Sequence, residues 1–318
     1  MVKIYLVIKM CTAISYKGYF GRNLDLEYSY NEQVVITPKK YSFNFTDKRV
    51  KDKGYAIIGI ATICENYPLY YDACNEYGLA GAGLNFPYDN LYSNEFSENQ
   101  IKIAPYEILT VVLRSCKNIE EVKALFNNSI FINKNFNDNL IATNMHYMFA
   151  DSNSSITVES INGKISIYDN KVNVLTNAPT FLEQLENLNN YNHLTNEETD
   201  NSINSKGSGA LGLPGDYTSK SRFVRAEFLL RTTIMNGKDL AEYYNVLSSV
   251  SEPKGAVKVK ENKYFYTQYS SCMNLKEKIY YYKTYENSRI NAVRLTNIDG
   301  KDLICFDLNK KQDVHFNN

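Results

Sequence analysis

The sequence predicts an α+β fold built in layers, and two observations carry that reading. Strand signals and helix signals come in blocks, strands then helices then strands then helices then strands, whereas a doubly wound parallel sheet alternates them one by one. The 318 residues, 44% hydrophobic and 22% charged, also supply enough apolar material for a sizeable core. Length is a soft prior for two domains, and a single large domain is the reading adopted.

Over the first third of the chain, segments 12–16, 19–26, 33–37, 55–64 and 79–84 are short, rich in β-branched or aromatic residues, and bounded by Gly, Asn, Asp or Pro. Tyr16, Lys17 and Gly18 read as a hairpin turn. Pro105 opens a helix to about Ser115, and Asn118 followed by Glu121 reads as a capping pattern for a second helix. Ile119, Val122, Leu125 and Phe126 share one face of that helix, and both helices are expected to cover a sheet. Between 145 and 175, turns at 151–154, Asn162-Gly163 and Asp169-Asn170 separate alternating segments, the pattern of a meander. A short helix is expected over 180–191. The stretch 192–213 is polar and too long for an ordinary connection, so it reads as a lid, an assembly loop or a flexible segment. Thr218 or Ser219 caps a helix to about Met235, Gly237 precedes another to about Ser251, and Tyr-rich strands such as 278–284 and 289–295 follow.

Charge and composition exclude several functions. Thirty-five Lys and Arg balance 35 Asp and Glu, so no basic field exists to hold nucleic acid. No run of 18 apolar residues occurs, and Ile4 to Ile8, between Lys3 and Lys9, is too short for the apolar region of a signal peptide. No membrane span is expected, and a cytoplasmic location is. Six cysteines, Cys11, Cys64, Cys74, Cys116, Cys272 and Cys305, show no ligand spacing and fit reduced thiols. Only His146, His193 and His315 are present, which weighs against a metal site and against a Cys-His dyad.

The informative segment is Met10-Cys11-Thr12-Ala13, followed by Gly21-Arg22-Asn23-Leu24-Asp25. If translation begins at Met10 and that Met is removed, Cys11 carries a free α-amine, placing a nucleophile and a base on one residue. An α-amine has an unperturbed pKa of about 7.7–8.0, so it moves a proton near neutral pH without tuning. Arg22 on a paired strand favours the thiolate by opposite charge, and Asp25 is expected to hold the thiol or the amine by hydrogen bonds. Taken singly, each feature has an ordinary explanation. A cysteine is usually a small buried hydrophobe, an Arg-x-x-Asp pair a surface salt bridge of roughly 0–1 kcal/mol, and an Asn a turn residue.

Together, MCTAIS, FGRNLDLEYSYN, NEYGLAGAGLNFP, NVLTNAPTF, GLPGDYTSKSRFVR and TQYSSCMNLKEKIYYYKTYENSRINAV resemble the choloylglycine hydrolases. These are N-terminal-nucleophile amidases that include bile salt hydrolases and penicillin V acylases, and the likeness spans nearly everything after Met10. The resemblance implies a four-layer αββα sandwich of the N-terminal-nucleophile hydrolase type and hydrolysis of a linear C–N amide bond without a cofactor or metal. It implies catalytic roles for Cys11 as nucleophile, Arg22 and Asp25 as the charged pair, Asn85 and Asn177 at the oxyanion, and Arg222 as a second active-site arginine. Donors at an oxyanion are typically worth about 2.7–4 kcal/mol each. It also implies substrate contacts from Leu24, Cys64 and Asn85. Asn85 stands where penicillin acylases of the family commonly carry an aromatic residue, so the implied substrates are glycine- and taurine-conjugated bile salts. Cys64 stands where some relatives have an aromatic.

The resemblance further implies that residues 1–10, an extension or a misassigned start, are removed, leaving 11–318 as one hydrolase domain. A homotetramer is implied as well, with 192–213 at the place of the family's assembly loop. A penicillin V acylase or other N-acyl amide hydrolase, and a catalytically silent steroid- or lipid-binding homologue, are the alternatives.

Overall fold

The computed structural model describes residues 10–198, 209–234 and 240–318. The chain begins with β1 (Met10–Tyr16), β2 (Tyr19–Leu26), β3 (Gln33–Thr37), β4 (Ile57–Cys64), β5 (Tyr67–Asn75) and β6 (Ala80–Asn85). Next come β7 (Ile101–Ile103), α1 (Ile108–Ser115), α2 (Ile119–Asn127) and β8 (Ser129–Phe131), then the meander β9 (Met145–Ala150), β10 (Ser155–Ile161) and β11 (Lys164–Asp169), and the two-residue β12 (Val174–Leu175). Helices α3 (Phe181–Leu188), α4 (Ser219–Thr232) and α5 (Leu240–Ser249) precede the last strands, β13 (Val257–Lys260), β14 (Lys263–Asn274), β15 (Ile279–Thr284), β16 (Asn291–Arg294) and β17 (Ile304–Asp307).

Two antiparallel sheets result. The first has the order β12-β1-β2-β14-β15-β16 with β13 on β14, and the second β11-β10-β9-β6-β5-β4-β3-β17. Side chains of successive residues leave a strand on opposite faces, and β3 shows what that does here. Val34 and Ile36 join the core between the sheets, with Ala13, Phe20, Leu24, Leu84 and Met148, while Val35 joins the core under α1 and α2. The outer face of the first sheet is covered by Phe223 and Ala226 of α4 and Tyr243 and Leu247 of α5. Helix, sheet, sheet and helix therefore stack as the αββα sandwich that the resemblance implies.

Local chemistry sets the connections. Lys17 and Gly18 both have positive φ (47° and 82°), the primed turn that suits the twist between β1 and β2. Asn118 accepts from the Glu121 main chain at 3.0 Å, but the Glu121 carboxylate turns to the Lys117 main chain at 3.1 Å, so only half of the capping pattern forms. Thr180 and Glu183 close a full capping box on α3, which ends at Leu188 before a 3-10 turn over Asn189–Tyr191. Thr218 caps α4, which stops at Thr232, short of the expected Met235. Met235, Gly237, the segment 199–208 of the long polar stretch and the nine residues before Met10 lie outside the described residues. Among the described residues, no helix is long and apolar enough to cross a membrane.

Candidate active site

Register places the functional side chains. In the β1–β2 pair Cys11 lies opposite Leu24 and Ala13 opposite Arg22, so Cys11, Leu24 and Arg22 face the second sheet. Thr12, Asn23 and Asp25 face the helices. The contacts agree: Arg22 Nη1 donates to Gly83 O at 2.7 Å and Tyr71 O at 3.1 Å on the second sheet, whereas Asn23 Nδ2 donates to Leu247 O at 2.8 Å on α5. Arg22 and Asp25 are therefore not partners in one ion pair, because three residues along a strand reverse the face. Gly21 lets β14 come close, since a Cβ there would lie 2.1 Å from Ser271 O. Ser271 Oγ accepts from Arg22 N at 3.1 Å and donates to Asp72 at 2.8 Å.

Arg22 is fully buried, and its Nη2 finds no hydrogen-bond partner among the described residues. Burial works against its charge, yet Cys11, Tyr269, Asp72 and Asp25 hold its pKa above the ordinary value. The buried Asp72 also accepts from Tyr269 Oη and Tyr280 Oη, each at 2.6 Å, and burial raises its pKa.

The main chain of Cys11 is held from two directions. β12 pairs with β1, Leu175 opposite Ala13, which delivers Asn177 two residues later beside Cys11. Cys11 N donates to Asn177 Oδ1 at 2.7 Å, and Asn177 Nδ2 donates to Asn85 O at 2.8 Å at the end of β6. From the first turn of α4, Arg222 Nη1 donates to Cys11 O and to Thr12 Oγ1, both at 2.6 Å, and Nη2 to Asn177 Oδ1 at 3.0 Å. His146, which no sequence signal singled out, braces this region: its Nε2 lies 2.7 Å from Thr176 O, its Nδ1 3.1 Å from Glu159 Oε1, and its ring stacks on Phe86 at 4.4 Å.

Asp25 is buried on the helical face, opposite Met10 in register. Its Oδ1 accepts from Thr267 Oγ1 at 2.6 Å, and its Oδ2 has no hydrogen-bond partner among the described residues. Burial raises its pKa to about 6 against the pull of Arg222, Thr267 and Arg22. Glu252, also buried, stands 3.5 Å from Arg222 Nε and is pushed up to about 8 by burial and by Asp25, against Arg222.

A cavity of about 190 Å³ opens between the sheets onto Cys11, bounded by Arg22, Leu24 and Asn85 and walled by apolar and aromatic residues such as Leu69, Tyr106 and Phe136. Asn85 is buried, and its Oδ1 has no partner among the described residues, so no protein group anchors that oxygen. Cys64 ends β4 opposite Tyr67 and is not among the lining residues, while Thr62 two residues earlier is. Arg222 stands behind Cys11 rather than in the cavity. The structure thus brings together Cys11, Arg22, Leu24, Asn85, Asn177, Arg222 and, from the far face of β2, Asp25. Cys64 stands outside the lining, its side chain toward Asn137. Asp72, Glu252, Thr267 and Ser271 belong to the same network but carry no motif.

Two antiparallel sheets between helical layers, with a thiol on an internal strand facing the inter-sheet cavity, define the fold of the N-terminal-nucleophile hydrolases. A family model for linear amide C–N hydrolases, the choloylglycine hydrolase family, matches residues 11–306. A bile salt hydrolase/transferase of Lactiplantibacillus plantarum is 43% identical over 94% of this chain and 97% of its own length. One of Clostridium perfringens is 37% identical over 96% of this chain and 99% of its own. The crystal structure of a mutant conjugated bile acid hydrolase from Clostridium perfringens has a TM-score of 0.90 at 36% identity, covering 97% of this chain and 100% of that one. Penicillin V acylase from Agrobacterium tumefaciens, at 22% identity and a TM-score of 0.70 over 93% of this chain and 91% of its own, shares the fold. The chain belongs to the choloylglycine hydrolase family and is a linear amide C–N hydrolase.

Proposed function

We propose that the protein hydrolyses the amide bond of glycine- and taurine-conjugated bile salts with Cys11 as an amino-terminal nucleophile. The observation that carries this reading is the position of Cys11, its main chain gripped by Asn177 and Arg222 while its side-chain face opens on a largely apolar cavity able to take a hydrocarbon skeleton. The relatives whose names state that they act on bile salts or conjugated bile acids support the substrate class.

In the mechanism, removal of residues 1–10 frees the α-amine of Cys11, by initiation at Met10 and loss of that Met or by cleavage of a short propeptide. The family match beginning at residue 11 supports this boundary and one hydrolase domain over 11–318. The thiolate, favoured by the facing Arg22 charge, attacks the amide carbon, and N–H donors of Asn85 and Asn177 hold the oxyanion. As the C–N bond breaks, the α-ammonium gives its proton to the departing amine, leaving a thioester. The amine then takes a proton from water, whose oxygen attacks the thioester, the C–S bond breaks, and bile acid and thiol are released. The reading extends to a cytoplasmic homotetramer assembled through 192–213, which light scattering on the eluted protein tests.

The deciding experiment is amine release from glycine- and taurine-conjugated bile salts beside penicillin V, with intact mass taken on the same sample. Faster release from bile salts and a mass beginning at Cys11 are expected. Preference for penicillin V overturns the substrate class, and full activity with the extension retained overturns the free-amine mechanism.

A further inference from the structure

The carboxyl of Glu252 has no part in the chemistry above, yet it stands directly behind it. The residue follows α5, and its side chain is fully buried with Oε1 3.5 Å from Arg222 Nε. Neither oxygen receives a hydrogen bond from a described residue. Its main chain is tied to β14 on both sides: Glu252 N donates to Thr267 Oγ1 at 2.8 Å, and Thr267 N donates to Glu252 O at 3.0 Å. The same Thr267 hydroxyl donates to Asp25. Glu252 therefore reaches both Arg222, which grips Cys11, and the residue that orients Asp25.

A second cavity of about 440 Å³, with serine and threonine side chains in a mixed wall, lies beside Glu252 on the helical side and shares no lining residue with the one at Cys11. Ser249, Ser251 and Ser270 line it. The titratable and charged groups facing Glu252 are Asp25 on β2 and Arg222 on α4, with Tyr217, Tyr269, Lys283 and Tyr285 at the cavity wall. Two buried carboxyls thus share one guanidinium, an arrangement in which one carboxyl keeps its proton while the other is ionised. Burial and the Asp25 charge hold the Glu252 proton up to about pH 8, in the range where the enzyme's α-amine also titrates.

We propose that Glu252 is a positioning residue of this active site, steadying Arg222 against the Cys11 main chain and, by gaining or losing a proton, setting the negative charge behind the nucleophile. The inference rests on the reading of Cys11 as nucleophile, and the test separates the two. Alkylation of the Cys11 thiol by iodoacetamide, followed by peptide mass across neutral and alkaline pH, needs no substrate. Bile-salt hydrolysis is measured in parallel on wild type, Glu252→Gln and Glu252→Ala.

Glu252→Gln keeps the shape and cannot ionise. Its alkylation midpoint moves to lower pH by about half a unit, the effect of removing one partly screened like charge, and its kcat near neutrality stays within about threefold of wild type. Glu252→Ala loses about tenfold or more in kcat with little change in KM, because Arg222 loses its rear contact. A wild-type alkylation profile in Glu252→Gln, or wild-type kcat in Glu252→Ala, overturns the inference. A wild type that releases no amine from bile salts overturns the functional reading, while the alkylation shift still decides this one.

Discussion

Arg222 Nη1 lies 2.6 Å from the carbonyl oxygen of Cys11, so a guanidinium on the helical side of the sheet grips the strand whose thiol faces the other way. Its fork also spans Thr12 Oγ1 and Asn177 Oδ1, and its Nε donates to Tyr217 O at 3.0 Å. One planar cation thereby fixes the nucleophile, its neighbour and the asparagine that binds the Cys11 nitrogen.

A lysine cannot reproduce that fork. Arg222→Lys is expected to lower kcat by about 100-fold in a bile-salt assay with the fold intact, since a charge still separates Asp25 from Glu252. Arg222→Met leaves two carboxyls uncompensated and costs about 3–5 kcal/mol where both are ionised. Asp25 protonates near 6 and Glu252 near 8, so the cost shrinks as pH falls through that window. Urea unfolding on either side of the window reads it, and equal losses at both pH values would show that neither carboxyl titrates within it.

Cys11→Ala should abolish amine release while changing stability by no more than about 1–2 kcal/mol, because a small buried side chain at a cavity wall is replaced by a slightly smaller one. Retained turnover would point to another nucleophile.

Glu252 also leaves a signature in stability. Its folded pKa, about 8, lies above the ordinary 4.5, so ionisation is harder in the folded state than in the unfolded one. The folded protein pays nothing below 4.5, loses stability progressively as pH rises to about 8, and loses no more above it. Glu252→Gln escapes that loss, so its Tm should draw ahead of wild type across this window and stay level beyond. A constant Tm difference at every pH would mean that the group does not titrate as described.

Asn85→Tyr fills the cavity beside Cys11 and removes an amide donor. Bile-salt hydrolysis should fall more steeply than any activity on penicillin V, as kcat/KM measured on both substrates would show. Equal loss on both would assign Asn85 to the oxyanion alone.

Much of the fold was legible because strand and turn chemistry is local. Tyr19–Leu26 and Gln33–Thr37 fall where their residues predict, and Asn162 and Gly163 make the turn their types allow. β5 carries no local signal because Pro68 and Asp72 interrupt its apolar pattern, and a buried Asp72 is made tolerable by the Arg22 charge and by hydroxyls from β14 and β15, distant in sequence. In the site, Cys11, Arg22, Asn85, Asn177 and Arg222 were legible as neighbours through the family pattern. That Arg22 and Asp25 divide between two faces follows from the period of a strand, a signal present in the spacing itself. Glu252 and Thr267 give no such signal, because their meaning comes from packing beside Arg222 and Asp25, which no local pattern links to them. Cys64 was drawn from the resemblance alone, and the lining runs through Thr62 instead.

The aromatic wall has an optical consequence. The chain has 27 tyrosines and no Trp, so its ultraviolet emission is phenolic throughout. Phe136 lines the Cys11 cavity and meets Tyr67 and Tyr106 edge-on, with ring centroids 5.6 and 5.1 Å away. Phe136→Trp would install a lone indole, excited apart from every tyrosine, whose colour shifts blue as an apolar guest displaces water. In a Cys11→Ala background this turns the cavity into its own fluorescent gauge, reporting occupancy of each conjugate without a single bond being broken.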